Sequence, residues 1–248
     1  LGSVLEVDEI QIWTDVEGIL TADPSILAEA HSIPEMTYEE AAELAYFGAR
    51  VLHPSTILPA VKKDIPVRVL NSREPLSRGT RIAQKAASTA SAVKSIAYKE
   101  DITVVRIQSP DILMGHQFLS RLFGVFARHK KCVDLIATSM VGISLTVRDE
   151  SALEQILAEF GESAEIAVDR HRAICSVVGE RVKFTRGLAA RVFSALDRAG
   201  INVEMISHGG SDINLSFVIR QSDVEAAVRS LHAEFFPAAV SAQCAAAD

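Results

Sequence analysis

The sequence lacks the features that mark several large classes of protein. It has no apolar run that approaches the length needed to cross a membrane, and no charged-then-apolar leader typical of a secretory signal. Its 25 Lys and Arg residues are outnumbered by 32 Asp and Glu, and no basic stripe offsets the net charge of −7. We therefore expect neither a membrane nor a nucleic acid as a partner, because a phosphate backbone attracts basic surfaces.

Cysteine is scarce and odd in number. Cys132, Cys175 and Cys244 do not have the spacing of metal ligands, and no pair of histidines has it either. These shortages argue against a disulfide framework and against a structural metal. We expect a reduced, cytoplasmic chain whose cysteines pack in the interior.

What the sequence does contain is a repeat. Residues 102–168 and 171–236 each read strand, helix, strand, strand, helix, and units of this size usually build a joint ligand site or an array. The elements predicted in the first copy are Ile102–Gln108, Gly115–His129, Cys132–Ala137, Val141–Val147 and Ser151–Phe160. Those predicted in the second are Arg172–Val178, Gly187–Ala199, Asn202–Ser207, Asp212–Ile219 and Val224–Phe235.

The repeat leaves one strand over. Glu165–Asp169 supplies a fourth strand for the first copy, whereas the sequence after Phe236 offers none for the second. Val93–Lys99 is strand-like and unclaimed. We predict that Val93–Lys99 completes the second sheet, so that the first unit is an insertion in the second.

Residues 1–92 have the pattern of part of an α/β domain. The predicted strands are Glu9–Thr14 and Val67–Asn71, and the predicted helices begin at Thr37 and at about Thr56. Thr37 and Glu40 have the spacing of a capping box, and the first helix should stop before His53-Pro54. The polar stretch Ser72–Thr89 is interpreted as the linker out of this domain, and the alanine-rich tail Pro237–Asp248 as frayed.

Several motifs in this order resemble the aspartate kinase family. They are Trp13-Thr14-Asp15-Val16-Glu17-Gly18-Ile19, Thr21-Ala22-Asp23-Pro24, Tyr46-Phe47-Gly48-Ala49-Arg50-Val51-Leu52-His53-Pro54 and Ile65-Pro66-Val67. The resemblance implies a combined α/β and α+β fold: the C-terminal part of an amino-acid-kinase domain, then two ferredoxin-like βαββαβ ACT domains, the first inserted in the second. The implied boundaries are 1–92 for the kinase portion with its linker, 101–169 for the first ACT domain, 93–100 with 170–236 for the second, and 237–248 for the tail.

The resemblance also implies a reaction. The family transfers a phosphoryl group from ATP, with Mg²⁺ and no organic cofactor, to L-aspartate, giving 4-phospho-L-aspartate, the first step of lysine, threonine and methionine biosynthesis. By position, the nucleotide contacts are Thr14, Asp15, Leu20, Ser25, Arg50 and Val51. The family's Lys-Phe-Gly-Gly-Thr segment and its aspartate-binding segments do not occur in these residues. Since the chain begins at Leu1 rather than at a methionine, we expect it to be a piece of a longer protein. Because those segments are absent, we expect this piece to hold no catalytic residue and no metal ligand and to be inactive alone.

An amino-acid effector is the ligand that the resemblance implies for the repeat. The implied effector shell is Ile112, Gly115, Phe118, Leu119, Cys132, Asp134, Thr138, Ser139 and Met140. The helix that opens near Gly115 would receive the carboxylate, and Asp134 would neutralise the ammonium. Lysine is the first expectation and threonine the next, although Met140 replaces a glutamate that would suit a second ammonium. A homodimer through the ACT domains is also implied.

Other interpretations stay open from the residues alone. Without the family, Thr14-Asp15 is typical of a plain β-turn, Asp134 of a solvated strand edge, and the helical spacing of Phe118, Leu119 and Leu122 of core packing. The second functional hypothesis is a non-catalytic amino-acid-sensing subunit that regulates a partner. For a third hypothesis, a scaffolding protein, the sequence offers no support beyond the repeat.

Overall fold

The structure, a computed structural model, describes residues 5, 7–47, 54–86, 91–109, 115–160 and 164–237. Residues 7–86 build an α/β layer on a four-stranded sheet with the order β1-β3-β4-β2. Its elements are β1 (Ile10–Thr14), β2 (Glu35–Thr37), α1 (Tyr38–Tyr46), α2 (Pro54–Lys62), β3 (Val67–Asn71) and β4 (Thr80–Ala83). The capping box predicted at Thr37 is confirmed, since Thr37 N donates to Glu40 Oε2 at 2.8 Å and Glu40 N donates to Thr37 Oγ1 at 3.2 Å.

The interpretation of Ser72–Thr89 as a linker is wrong in part, because β4 lies inside it. β4 pairs antiparallel with β3 and parallel with β2, so it is an interior strand of the sheet. Thr80 and Ile82 are both fully buried. The burial of a threonine hydroxyl is tolerated here because it donates to Ile33 O at 2.6 Å and accepts from Ile19 N at 2.8 Å.

The repeat forms one six-stranded sheet rather than two separate sheets. Its order is β6-β7-β5-β8-β10-β9. The strands are β5 (Ser95–Gln108), β6 (Ile136–Thr138), β7 (Gly142–Val147), β8 (Glu165–Val178), β9 (Met205–His208) and β10 (Asn214–Arg220). Each of the two central strands fuses two segments that the sequence pattern keeps apart: β5 joins Val93–Lys99 to Ile102–Gln108, and β8 joins Glu165–Asp169 to Arg172–Val178.

Both central strands change direction where the repeats meet. Asp101 and His171 have φ of 58° and 56°, and the β5–β8 register shifts on either side of Ile102. Before the shift, Ser95–Lys99 pairs with Ile174–Val178 of the second repeat; after it, Val104–Gln108 pairs with Glu165–Asp169 of the first. The pairing predicted for Val93–Lys99 is therefore present.

Four helices cover one face of this sheet. The helices α3 (Gly115–Arg128) and α4 (Leu153–Ala158) pack on the first repeat, and α5 (Leu188–Arg198) and α6 (Val224–Phe235) pack on the second. Alternation along β8 divides the faces: Cys175 and Val177 pack against α5 and α6, whereas Ile174 and Val178 join the core of the α/β layer. The repeat and the α/β layer thus share a hydrophobic core.

Two strands begin at least three residues later than the sequence predicts. β6 begins at Ile136 rather than Cys132, because Thr146 Oγ1 accepts from Leu135 N at 2.8 Å and interrupts the regular ladder. β9 begins at Met205 rather than Asn202. These two strands stand at opposite ends of the sheet order, yet some of their Cα atoms lie within 8 Å of each other, so the sheet is curved.

No helix among the described residues is long and apolar enough to span a membrane. The tail predicted to be frayed lies, from residue 238 onward, outside the described residues.

Candidate functional site

The candidate nucleotide contacts begin where β1 ends. Thr14 O accepts from Ser72 N at 2.8 Å and from Ser72 Oγ at 2.9 Å, which fixes the end of the strand. Asp15 follows it on the surface, and its carboxylate accepts from Thr14 Oγ1 at 3.1 Å. Asp15 therefore presents an exposed acceptor at the carboxyl end of a parallel strand, which is where α/β sheets bind ligands.

The loop after Asp15 has its shape imposed by β4. Gly18 has φ of 110°, and a Cβ placed on it would lie 2.5 Å from Thr80 Oγ1. Thr80 also holds the next residue, Ile19, through the hydrogen bond from its backbone nitrogen. The sequence singles out Gly18 for a close turn, but it gives no sign that Thr80 is the reason.

Leu20 and Ser25 are tied to the six-stranded sheet. Leu20 is half-buried, and its carbonyl oxygen accepts from Ser95 Oγ at 2.8 Å. Ser25 donates from its backbone nitrogen and its hydroxyl to Asp23 Oδ1, at 2.8 and 2.6 Å, while Tyr98 OH donates to Asp23 Oδ2 at 3.0 Å. Desolvation and this hydrogen bond raise the pKa of Tyr98 to about 12. The candidate nucleotide loop, residues 14–25, therefore contacts β5 directly.

The same loop contacts α6. His232 lies in the interior, and its Nε2 is 3.0 Å from Thr21 Oγ1. The His31 ring packs edge-on against the rings of His232 and Phe236. Burial, followed by the neighbouring His31, lowers the pKa of His232, while Glu29 acts in the opposite direction.

The candidate effector residues divide between the interior and the surface. Phe118 is buried against Phe160 in the core of the first repeat, with Leu119 packed beside it. Gly115 is the first residue of α3. Cys132 is an exposed free thiol, and Thr138, Ser139 and Met140 lie exposed at the turn between β6 and β7, with Met140 76% exposed. Arg50, Val51 and Ile112, also predicted as contacts, lie outside the described residues.

Asp134 is the candidate effector residue with the most specific surroundings. Its Oδ1 accepts from Lys99 Nζ at 2.8 Å and from Tyr46 OH at 2.7 Å. The Lys99 ammonium also lies 4.8 Å from the centroid of the Tyr46 ring, within the range of a cation–π contact. Burial and the hydrogen bond to Asp134 raise the pKa of Tyr46 well above its usual value. Asp134 is not a solvated edge residue.

Helix α1 makes three polar contacts with residues in or beside the six-stranded sheet. Glu40 pairs with Lys94 at 2.9 Å, Glu43 Oε2 accepts from Asn214 Nδ2 at 2.8 Å, and Tyr46 binds Asp134. These three residues have the spacing that places side chains on one helix face. Sequence reasoning missed these contacts, although an acidic or aromatic residue at every third position was a visible signal.

Among the described residues no group of three or more His, Cys, Asp or Glu side chains is placed to hold a metal ion.

Two family models match parts of this chain. Residues 1–71 match the model of the amino acid kinase family, and residues 175–235 match an ACT domain. Aspartokinase 1, chloroplastic, of Arabidopsis thaliana is 39% identical over 245 residues, which cover 95% of this chain and 43% of that protein. The chain spans about half the length, or less, of the curated relatives it matches.

Solved structures agree with this assignment. Escherichia coli aspartokinase III is similar in two states: with aspartate and ADP (R-state) at a TM-score of 0.86 and 34% identity, and with lysine and aspartate (T-state) at 0.81 and 35%. Those matches cover 95% of this chain and 54% and 53% of the E. coli chain. A C-terminal regulatory domain of aspartate kinase from Porphyromonas gingivalis W83 matches at a TM-score of 0.51 and 33% identity, over 57% of this chain and 96% of that one.

Proposed function

This chain belongs to the aspartate kinase family, and from that premise we propose that it is the part of an aspartate kinase that senses an amino acid and carries one side of the nucleotide site. The whole protein would transfer a phosphoryl group from ATP to L-aspartate and so begin lysine, threonine and methionine biosynthesis. One observation carries the proposal: strand β5 contacts both the candidate nucleotide loop, through Ser95 and Leu20, and the candidate effector carboxylate Asp134, through Lys99. Feedback control requires a coupling free energy between two sites, and a strand that contacts both is one physical route for it.

We propose the following domain division. Residues 1–92 form the kinase portion, 101–169 the first ACT domain, 93–100 with 170–236 the second, and 237–248 a tail. The pairing of Ser95–Lys99 with Ile174–Val178 supports the assignment of residues 93–100 to the second domain.

ATP would lie against Thr14, Asp15, Leu20 and Ser25, with Arg50 and Val51 completing the contacts. The residues present fit a nucleoside: Asp15 offers an exposed acceptor for hydroxyl or amino groups, and Leu20 a half-buried apolar surface. Mg²⁺ usually keeps several waters and binds through substrate phosphates with one or two carboxylates, so we propose that it enters with ATP. When bound, it would neutralise charge on the transferred phosphoryl group.

We propose that these 248 residues do not catalyse the reaction by themselves, since they contain no Lys-Phe-Gly-Gly-Thr segment. A coupled assay of the purified chain with ATP, Mg²⁺ and L-aspartate should give no ADP release above the rate without aspartate. Aspartate-dependent release of ADP would contradict this part of the proposal.

The proposed effector is lysine, with threonine next, and the proposed assembly is a homodimer through the ACT domains. The proposed location is the cytoplasm, which the unpaired thiols of Cys132 and Cys175 support. Calorimetric titration of lysine, threonine and methionine, with methionine as the negative comparison, tests the effector. A chain that binds none of them would refute the sensing role.

Nucleotide binding distinguishes the proposed kinase portion from the alternative, a non-catalytic regulatory subunit. Trp13, the one tryptophan of the sequence, is adjacent to Thr14 and half-exposed, so its fluorescence should respond to ADP. A response that Asp15→Asn weakens favours the kinase portion; an amino-acid response without any nucleotide response favours the regulatory subunit.

A further inference from the structure

Two side chains from distant parts of the chain meet at Asp134. Lys99 comes from β5, 35 residues earlier, and Tyr46 ends α1, 88 residues earlier. The Asp134 and Lys99 side chains are only 7% and 13% exposed. At this burial an ion pair is shielded from solvent, and its partners are costly to separate unless another charge takes the vacated place.

In this arrangement the protein's own side chains already occupy the proposed effector subsite. An amino acid brings an ammonium, and the carboxylate oxygen that would receive it already holds the Lys99 ammonium and the Tyr46 hydroxyl. Two ammonium groups on one buried oxygen would repel each other strongly. The ligand ammonium can therefore take this position only if Lys99 Nζ leaves it.

Tyr46 places this exchange next to the kinase portion. The hydrogen-bonded contacts of Glu40 with Lys94 and of Glu43 with Asn214 are made nearer the N-terminus of α1. Only the Tyr46 contact involves the effector carboxylate, and Tyr46 directly precedes the segment that contains Arg50 and Val51, two of the proposed nucleotide contacts.

We propose that Lys99 is an internal competitor for the effector ammonium, and that its displacement from Asp134 loosens Tyr46 and with it the C-terminal end of α1. This inference rests on the proposed function, since it concerns the same effector site. Lys99 then sets the effector affinity, and Tyr46 sets how far binding is felt in the kinase portion. Coupling of this kind requires that the effector bind one arrangement better than the other, and displacement of Lys99 supplies that difference.

The first experiment is a calorimetric titration of L-lysine, and separately L-threonine, into the full 248-residue chain and its variants. Lys99→Met removes the competitor and should tighten effector binding about tenfold, because Asp134 is then left without its cation. Lys99→Arg keeps the charge and should bind no tighter than the unaltered chain. Lys131→Met is the matched control, because Lys131 lies three residues from Asp134 but pairs with Asp149. It removes an equal charge and should leave the affinity unchanged.

The second experiment follows hydrogen exchange of the α1 amides with and without L-lysine. In the unaltered chain, lysine should speed exchange at the C-terminal end of α1. In Tyr46→Phe the exchange should already be fast and should not respond to lysine, while lysine still binds.

The outcomes separate the inference from the function on which it rests. Equal or weaker binding by Lys99→Met, beside measurable binding by the unaltered chain, overturns the inference alone. A tightening of the same size in Lys131→Met also overturns it, because the effect would then be general electrostatics. Absence of binding in every variant overturns the proposed sensing function and the inference together.

Discussion

Glu40 and Lys94 form an ion pair that is almost completely buried, with side chains 1% and 2% exposed and 2.9 Å between Oε2 and Nζ. The same Glu40 oxygen accepts the hydrogen bond that caps α1. The Glu40 carboxylate thus caps the N-terminus of α1 and joins this helix to Lys94, the residue directly before β5. Its other oxygen, Oε1, is buried with no hydrogen-bond partner among the described residues, which leaves Lys94 to compensate most of the charge.

The first prediction concerns this pair. Lys94→Met leaves the buried carboxylate of Glu40 without its cation and should lower the free energy of unfolding by about 3–5 kcal/mol. Urea denaturation followed by circular dichroism measures the change. Adding Glu40→Gln to Lys94→Met should restore at least half of the loss, since the amide oxygen still caps α1; a double variant no more stable than the single one would contradict the charge argument.

The second prediction concerns the nucleotide loop. Gly18→Ala places a Cβ against Thr80 on a backbone with positive φ, and we expect a loss of about 1–3 kcal/mol in unfolding free energy and weaker ADP binding. Gly210→Ala is the control, since a Cβ there meets nothing within 4 Å and the backbone has no positive φ. Urea unfolding and the Trp13 response to ADP give the two readouts. Equal behaviour of the two variants would show that the turn at Gly18 does not need glycine.

The third prediction concerns effector choice. Met140 is exposed at the β6–β7 turn, at the position where the family frequently has glutamate. Met140→Glu supplies a carboxylate for the second ammonium of lysine, and it should tighten lysine binding about two- to fivefold, the gain expected of an exposed ion pair. Threonine, which has no second ammonium, should bind as before. The neighbouring Val141→Glu adds the same charge as a control, and an equal gain there would remove Met140 from the effector site.

The fourth prediction concerns pH. The pKa of His232 is lowered in the folded chain, chiefly by burial. Below the ordinary histidine value of about 6.5 the unfolded chain takes up a proton that the folded chain does not, so the stability that neutral His232 contributes is present above that pH and is lost as the pH falls. His232→Gln, which keeps a hydrogen-bonding group near Thr21, should show a smaller loss of stability between pH 7.5 and 5.5. Urea midpoints at the two pH values decide this, and parallel losses in both proteins would assign the acid sensitivity elsewhere.

The sequence predicts local features well and their partners poorly. Val67–Asn71 and the Thr37–Glu40 capping box depend on short-range pattern, and both are present as predicted. The four residues of β4 are too few and too polar to stand out, and only the hydrogen bonds of Thr80 to Ile19 and Ile33 show why a strand forms there. Local pattern carries no information about contacts made across sixty residues.

The same limit applies to the candidate sites. Family resemblance points to Asp134 as a ligand for an ammonium, and nothing around it in the sequence indicates that Lys99 and Tyr46 already bind it. Ser25 is predicted as a nucleotide contact, whereas its attachment through Asp23 to Tyr98 becomes visible only in three dimensions. The sequence shows which residue types are present, but whether a side chain is already bound by another one depends on tertiary contacts.

The two central strands, β5 and β8, each run unbroken from one repeat into the other. Removing either copy would require cutting both strands where the repeats meet. We therefore expect the two repeats to be exchanged between proteins, or lost, only as a single piece.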